Sequence, residues 1–278
     1  MRLRPIAIMA AIAGLLAGTT SVSASSQHFN PPKHYYLALG DSLAYGFQQG
    51  KFLSELPHVS AGTFNTGYVD DFGVMLRTIR PEIQTINLGC PGETTASYFV
   101  ACGYQLGGFP LHEAYPGSQA AAALALLRAH PGQVSPITLD NGANDTTPCL
   151  SSPDPTCVPT ALAGVSANLD RALGELRAAA PNAEIIVMLY YDPFAAVAPA
   201  SVAITSALNH AIATAAAAHG ARVADAFAPI NLAQPQPATL CALTLFCTSL
   251  HDIHASDAGY LVIAQQFWAA SGYSRLGH

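Results

Sequence analysis

The chain has 278 residues, of which 51% are hydrophobic and only 10% are charged, and its formal net charge at pH 7 is −6. That negative balance makes nucleic acid and anionic membrane surfaces poor partners. A chain of this length buries one large core more readily than two small ones, so residues 25–278 are predicted to form a single domain.

The first predicted element is a signal peptide at residues 1–24. Arg2 and Arg4 precede an apolar run at residues 6–17, and the small residues at 22–24 resemble a cleavage site. The alternative is that this run stays in place as a membrane anchor. No later segment has the roughly 20 consecutive apolar residues that a transmembrane helix needs. We therefore expect a secreted protein with no integral membrane span after cleavage.

Five short apolar runs predict β-strands, and five segments with helical spacing predict α-helices. The strands are predicted at residues 35–39, 83–88, 136–139, 185–189 and 222–224. The helices are predicted at residues 68–79, 118–130, 161–179, 201–219 and 257–269. Strands that are apolar throughout and alternate with helices predict an α/β fold, a parallel sheet covered by helices on both faces.

Polar motifs follow three of these strands. The tetrapeptide GDSL at residues 40–43 follows the first strand, Gly89 follows the second, and GAND at 142–145 follows the third. The segment HDIH at residues 251–254 lies just before the last helix. Because ligands of parallel sheets bind outside the carboxyl ends of the strands, we expect these motifs to meet at one site.

The residue types at that edge suit acyl transfer. Ser42 has a hydroxyl that is a weak nucleophile at neutral pH, and His254 is a base suited to take its proton. The oxyanion that forms during such a reaction needs fixed hydrogen-bond donors. The backbone N–H groups of Ser42 and Gly89 and the side-chain amide of Asn144 are the predicted donors.

These four motifs resemble the signature blocks of the SGNH or GDSL hydrolases, and the resemblance spans residues 35 to about 268. It implies that Ser42 is the nucleophile, that Gly89 and Asn144 help to hold the oxyanion, and that His254 is the general base. It also implies a flavodoxin-like three-layer fold with strand order 2-1-3-4-5, and a reaction that requires no cofactor or metal.

The sequence departs from the family pattern at the histidine motif. The family usually has an aspartate three residues before the histidine, where this chain has His251, and Asp252 stands one residue later. Two alternatives follow. Either the Asp252 carboxylate orients His254, as in a triad, or a backbone carbonyl near His251 does so, as in a dyad.

Six cysteines form three pairs that are close in sequence, and in an oxidising compartment they predict three local disulfides. The pairs are Cys90 with Cys102, Cys149 with Cys157, and Cys241 with Cys247. A zinc cluster is disfavoured because the chain has no C-x-x-C motif and the pairs are far apart.

A segment at residues 98–115 follows the Gly89 motif and carries five aromatic residues among several glycines. Those aromatic side chains either wall a pocket for the acyl group of a substrate or fill the underside of a long loop.

The predicted function is that of a secreted serine hydrolase, an esterase or lipase that cleaves small-molecule or lipid esters through an acyl-Ser42 intermediate. One alternative is an esterase that removes acetyl groups from a polysaccharide. The other, motivated by the irregular histidine motif, is a secreted binding protein that keeps the fold without catalysis.

Overall fold

Five parallel strands form a sheet in the computed structural model, which describes residues 29–276. The predicted signal peptide at residues 1–24 lies outside them. The strand order is β2-β1-β3-β4-β5, so the predicted flavodoxin-like topology is confirmed. The strands are β1 (Tyr35–Gly40), β2 (Gln84–Asn87), β3 (Val134–Asp140), β4 (Ile185–Leu189) and β5 (Arg222–Asp225).

Ten α-helices accompany the sheet within residues 29–276, and they include all five predicted ones. They are α1 (Ser42–Tyr45), α2 (Gln49–Glu55), α3 (Tyr68–Ile79), α4 (Gly103–Leu106), α5 (Gln119–Ala129), α6 (Ala143–Thr146), α7 (Cys157–Ala179), α8 (Ser201–Ala218), α9 (Ala238–Leu243) and α10 (Asp257–Ser271).

The direction of each crossover sets the face on which its helix lies. Helix α3 connects β1 to β2 in one direction across the sheet, whereas α5, α7 and α8 connect strands in the opposite direction. Because parallel crossovers are right-handed, α3 lies on one face and the other three lie on the second face. Helix α10 packs beside α3, and Phe267 stacks on Tyr68 with ring centroids 4.7 Å apart.

Burial on both faces explains the apolar strands. All seven residues of β3, the central strand, are buried. Helix α7 begins at Cys157, four residues before the predicted start, and Pro159 lies in its first turn. Proline fits there because the first turn has no intrahelical partner for its backbone nitrogen, so Pro159 does not end the helix.

The three predicted cysteine pairs are all disulfides in the structure. The Cα–Cα distances are 5.9 Å for Cys90–Cys102, 5.6 Å for Cys149–Cys157 and 5.2 Å for Cys241–Cys247.

Helix α8 is long and apolar enough to cross a membrane by length and composition, with a mean hydropathy of 1.2. It packs against α7 and β4 in the fold. A core helix passes the same test, so this observation is weak support for a membrane span.

Candidate active site

A sharp turn after β1 brings Ser42 to the carboxyl edge of the sheet. Gly40 has a φ of 141°, and a Cβ atom at that position would lie 2.1 Å from Asp140 Oδ1. Only glycine therefore fits between β1 and β3 at this point. Ser42 follows two residues later as the first residue of α1.

The first turn of α1 leaves one backbone donor available. Asp41 Oδ1 accepts the N–H of Leu43 at 2.9 Å, and Asp140 Oδ2 accepts the N–H of Ala44 at 3.2 Å. The N–H of Ser42 has no acceptor within residues 29–276. The start of a helix carries partial positive charge, so this N–H suits a developing anion.

His254 links Ser42 to Asp252. Its Nε2 lies 2.9 Å from Ser42 Oγ, and its Nδ1 lies 2.5 Å from Asp252 Oδ1. The second carboxylate oxygen of Asp252 accepts the backbone N–H of Gln49 at 2.7 Å. Asp252 is held by contacts to two separate segments, and the ring of His254 is fixed between Asp252 and Ser42.

The same contacts determine the charge of Asp252. Burial alone would raise the pKa of this carboxyl, but hydrogen bonding to His254, the His254 charge and the Gln49 N–H outweigh burial and hold the pKa below its usual value. Asp252 is therefore ionised at neutral pH.

The partner of His254 Nδ1 is the Asp252 carboxylate, as the first of the two alternatives predicts, and not a backbone carbonyl. His251 turns aside in a left-handed conformation with a φ of 48°, and its Nδ1 lies 3.2 Å from the carbonyl oxygen of Phe246. The left-handed turn lets an aspartate two residues before the histidine reach the imidazole.

Asn144 also lies at this edge, at the start of α6. Its side-chain nitrogen donates to the carbonyl of Glu93 at 2.9 Å and contacts Asp41 Oδ2 at 3.5 Å. An amide nitrogen carries two hydrogens. One is committed to Glu93, and the other makes only a long contact.

The structure does not place Gly89 as predicted. Its N–H donates to Asn87 Oδ1 at 2.9 Å, and a Cβ there would lie 2.7 Å from the backbone nitrogen of Tyr45. Gly89 is buried against α1, so its predicted role as an oxyanion donor is wrong for this geometry. The segment that contacts Asn144 is the following turn, at residues 90–93, which includes the exposed Gly92 with a φ of 73°.

Supporting contacts surround these residues. Tyr190 donates its hydroxyl to Asp41 Oδ2 at 2.7 Å. Asp145, the residue after Asn144, accepts the Thr95 N–H at 2.9 Å and the Thr95 hydroxyl at 2.7 Å. The sequence does contain a signal for the Tyr190 contact. Tyr190 directly follows β4, so it stands at the carboxyl end of a strand, as the motif that contains Ser42 does.

Asp41 and Asp140 are both buried beneath α1. Burial raises the pKa of Asp140 well above its usual range, and the nearby Asp41 charge raises it further. Burial also raises the pKa of Asp41. Tyr68 donates a hydrogen bond to Asp140 and Tyr190 donates one to Asp41, and these two bonds oppose the rise in pKa that burial causes.

A third buried carboxyl, Glu93, lies next to this pair. Burial raises its pKa to about 7, with a further contribution from Asp41 and an opposing hydrogen bond from Ser97. Gln119 donates to Glu93 Oε2 at 3.4 Å and to the carbonyl of Gly40 at 2.9 Å. Glu93 is thus connected both to the turn before Ser42 and to the turn that contacts Asn144.

A cleft of about 640 Å³, counted with its open mouth, begins at Ser42 and His254. Residues of the 98–115 segment do not line it. Tyr98 and Tyr115 are buried in the core, and Phe109 packs on Tyr45. The loop-filling alternative is the one that the structure supports. The cleft walls are the 143–150 segment, the 190–194 segment and the inward side of α8.

Within residues 29–276, no group of three or more His, Cys, Asp or Glu side chains is arranged to hold a metal ion.

The Ser–His–Asp series at the carboxyl edge of the parallel sheet has the arrangement of a catalytic triad. The chain matches the model of the GDSL-like lipase/acylhydrolase family over residues 38–262. The protein belongs to that family and is a carboxylic ester hydrolase.

Solved structures share the fold. Axe2, an acetylxylan esterase from Geobacillus stearothermophilus, is 18% identical with a TM-score of 0.58, over 88% of this chain and 97% of that one. The lipase Lip_vut3 from a goat rumen metagenome is 20% identical with a TM-score of 0.58, over 87% of this chain and 99% of that one. No protein of curated function matches the chain in sequence.

Proposed function

We propose that the protein hydrolyses carboxylic esters through a covalent acyl-Ser42 intermediate. The observation that carries this proposal is the continuous hydrogen-bonded series from Ser42 Oγ through His254 to Asp252, with distances of 2.9 Å and 2.5 Å. Nucleophile, base and orienting carboxylate are each within reach of the next.

In the first half-reaction, Ser42 Oγ attacks the ester carbonyl carbon while His254 Nε2 takes the hydroxyl proton. Asp252 stabilises the resulting imidazolium. The carbonyl oxygen becomes an oxyanion, which the N–H of Ser42 and the second hydrogen of Asn144 stabilise. Loss of one such donor typically costs about 10²- to 10³-fold in rate.

The tetrahedral intermediate then collapses. The bond to the alcohol oxygen breaks, and His254 returns its proton to the leaving alcohol. In the second half-reaction a water molecule attacks the acyl carbonyl with His254 again as base. The carboxylic acid leaves, and Ser42 regains its proton.

A panel of nitrophenyl esters from acetate to palmitate tests the proposal, run on the native protein and on Ser42→Ala. Turnover by the native protein that falls by at least about 10³-fold in Ser42→Ala supports it. Equal turnover by both proteins contradicts the acyl-Ser42 step. No turnover by the native protein favours the binding-protein alternative.

The polysaccharide alternative has one supporting observation, the fold shared with Axe2, an acetylxylan esterase. At 18% identity that likeness extends to the fold only. Acetate-only turnover in the same panel favours this alternative.

We also propose that the protein acts outside the cytoplasm. Three disulfides form and persist in oxidising compartments, and residues 1–24 are the predicted export signal. Protein recovered from culture medium is expected to begin at Ser25. A retained Met1 in that material contradicts cleavage at this position.

A further inference from the structure

The cleft beside Ser42 has one apolar wall that belongs to α8. Ser201, Ile204, Thr205 and Leu208 line it, and their spacing places them on one face of the helix. Leu208 is only 2% exposed, and its Cδ1 would lie 3.0 Å from a Cβ built on Gly142. The cleft is therefore closed at the end where α8 meets the Asn144 loop.

The opposite side of the cleft is also mostly apolar. Leu150 lies on the segment after α6, and Phe194 lies on the segment after β4. Ile253 stands next to His254 near the mouth. A substrate group that enters past Ser42 thus meets aliphatic and aromatic carbon on both sides.

Hydroxyl groups in the walls are already paired within the protein. Tyr190 donates to Asp41 Oδ2 at 2.7 Å, and Tyr191 donates to the Ile253 carbonyl at 2.8 Å. Ser201 donates to Asp192 Oδ2 at 2.6 Å. Thr146 and Thr147 donate to the Ala143 carbonyl, at 3.2 Å and 2.8 Å. Ser42 contacts His254, and Thr205 carries the only lining hydroxyl that has no partner in residues 29–276.

Such walls are poorly suited to a sugar. A site that selects a polyhydroxylated group offers it unpaired donors and acceptors, and burying sugar hydroxyls without partners costs free energy. An alkyl chain needs no polar partner, and it gains by leaving water.

We propose that this cleft binds the acyl chain of the ester, that the chain is an alkyl group longer than acetyl, and that Ile204 is part of the wall against which it packs. The inference rests on the proposed function, since it places the acyl carbonyl at Ser42. A closed cleft suits the acyl part because that part stays bonded to Ser42 after the alcohol has left.

The first test compares esters that differ only in acyl length. In the native protein kcat/KM is expected to rise from acetate to octanoate, by up to about fourfold for each methylene that enters the cleft. A maximum at acetate overturns the inference. The inference is also overturned if kcat/KM rises with the length of the alcohol in a series of acetate esters.

The second test narrows the cleft with Ile204→Trp. Turnover of octanoate is expected to fall at least about tenfold while turnover of acetate stays within about twofold. Ala203→Trp is the matched control, since Ala203 is exposed on the same helix and does not line the cleft. It is expected to leave both rates unchanged.

A second variant keeps the test decisive if Ile204→Trp misfolds. Leu150→Trp narrows the other wall at a side chain that is 38% exposed, so it disturbs the core little. If folded variants lose acetate and octanoate turnover equally, the cleft is not the acyl site. That result leaves the proposed function unaffected. If the native protein turns over none of the esters, both the proposed function and this inference are contradicted.

Discussion

At the scale of single residues, the histidine motif determines how His254 works. In the proposed mechanism, the 2.5 Å contact from His254 Nδ1 to Asp252 fixes the tautomer with its proton on Nδ1 and leaves Nε2 to accept the proton of Ser42. In the same mechanism the carboxylate compensates the positive charge that the imidazole gains.

Asp252→Asn is expected to lower kcat by about 10⁴-fold, because an amide neither fixes that tautomer nor stabilises the imidazolium. Steady-state kinetics on the preferred ester measure the effect, and circular dichroism checks that the variant is folded. Asp170→Asn is the control, since Asp170 forms an exposed 2.7 Å contact with His219. A fall of less than tenfold for Asp252→Asn contradicts the triad.

At the scale of elements, the turn after β2 joins two parts of the site. Its Glu93 carbonyl accepts from Asn144, and its Glu93 carboxyl contacts Gln119, which bonds Gly40. Buried carboxyls in this position link the stability of the turn to pH.

Glu93→Gln is expected to change how stability depends on pH. The folded-state pKa of about 7 lies above the ordinary value of 4.5, so the folded protein keeps a proton that the unfolded chain has released. Stability from this group is lost as pH rises from about 4.5 to about 7, by up to about 3 kcal/mol.

Urea unfolding of native protein and Glu93→Gln at pH 5 and pH 8 measures this effect. Between pH 5 and pH 8, the free energy of unfolding of the variant is expected to rise by about 2.5 kcal/mol relative to that of the native protein. The same difference in free energy of unfolding at both pH values contradicts the assignment.

The Cys90–Cys102 disulfide holds the same turn. The Cys90 carbonyl accepts the Glu93 N–H at 3.1 Å. The bridge is therefore connected to Glu93, the residue whose own carbonyl accepts from Asn144. Mild reduction, or replacement of both cysteines by alanine, is expected to lower activity while the sheet stays folded. Ester turnover and far-UV circular dichroism are followed together, and simultaneous loss of both signals contradicts a local role.

At the scale of the whole molecule, the fold was predictable because burial of a parallel sheet on both faces leaves a direct signal. The apolar run at residues 185–189 predicts β4 with the bounds that the structure has. The meeting of Ser42, Asn144 and His254 followed from strand order, because carboxyl ends of parallel strands share one edge.

Other features depended on packing that no local pattern records. Gly89 looks like a donor because it ends a strand, but its N–H is taken by Asn87, two residues earlier in the chain. The aromatic residues at 98–115 fill a loop, and the cleft instead lies against α8, more than 80 residues further on. Neither outcome could be read from spacing alone.

The central claim is that Ser42 is the nucleophile and His254 its base, and covalent labelling tests it most directly. Protein treated with a fluorophosphonate is digested and its peptides are measured by mass spectrometry. We expect one adduct per chain on Ser42, none in Ser42→Ala, and labelling about 10³-fold slower in His254→Ala. An adduct on a different residue, or full ester turnover by Ser42→Ala, contradicts the claim.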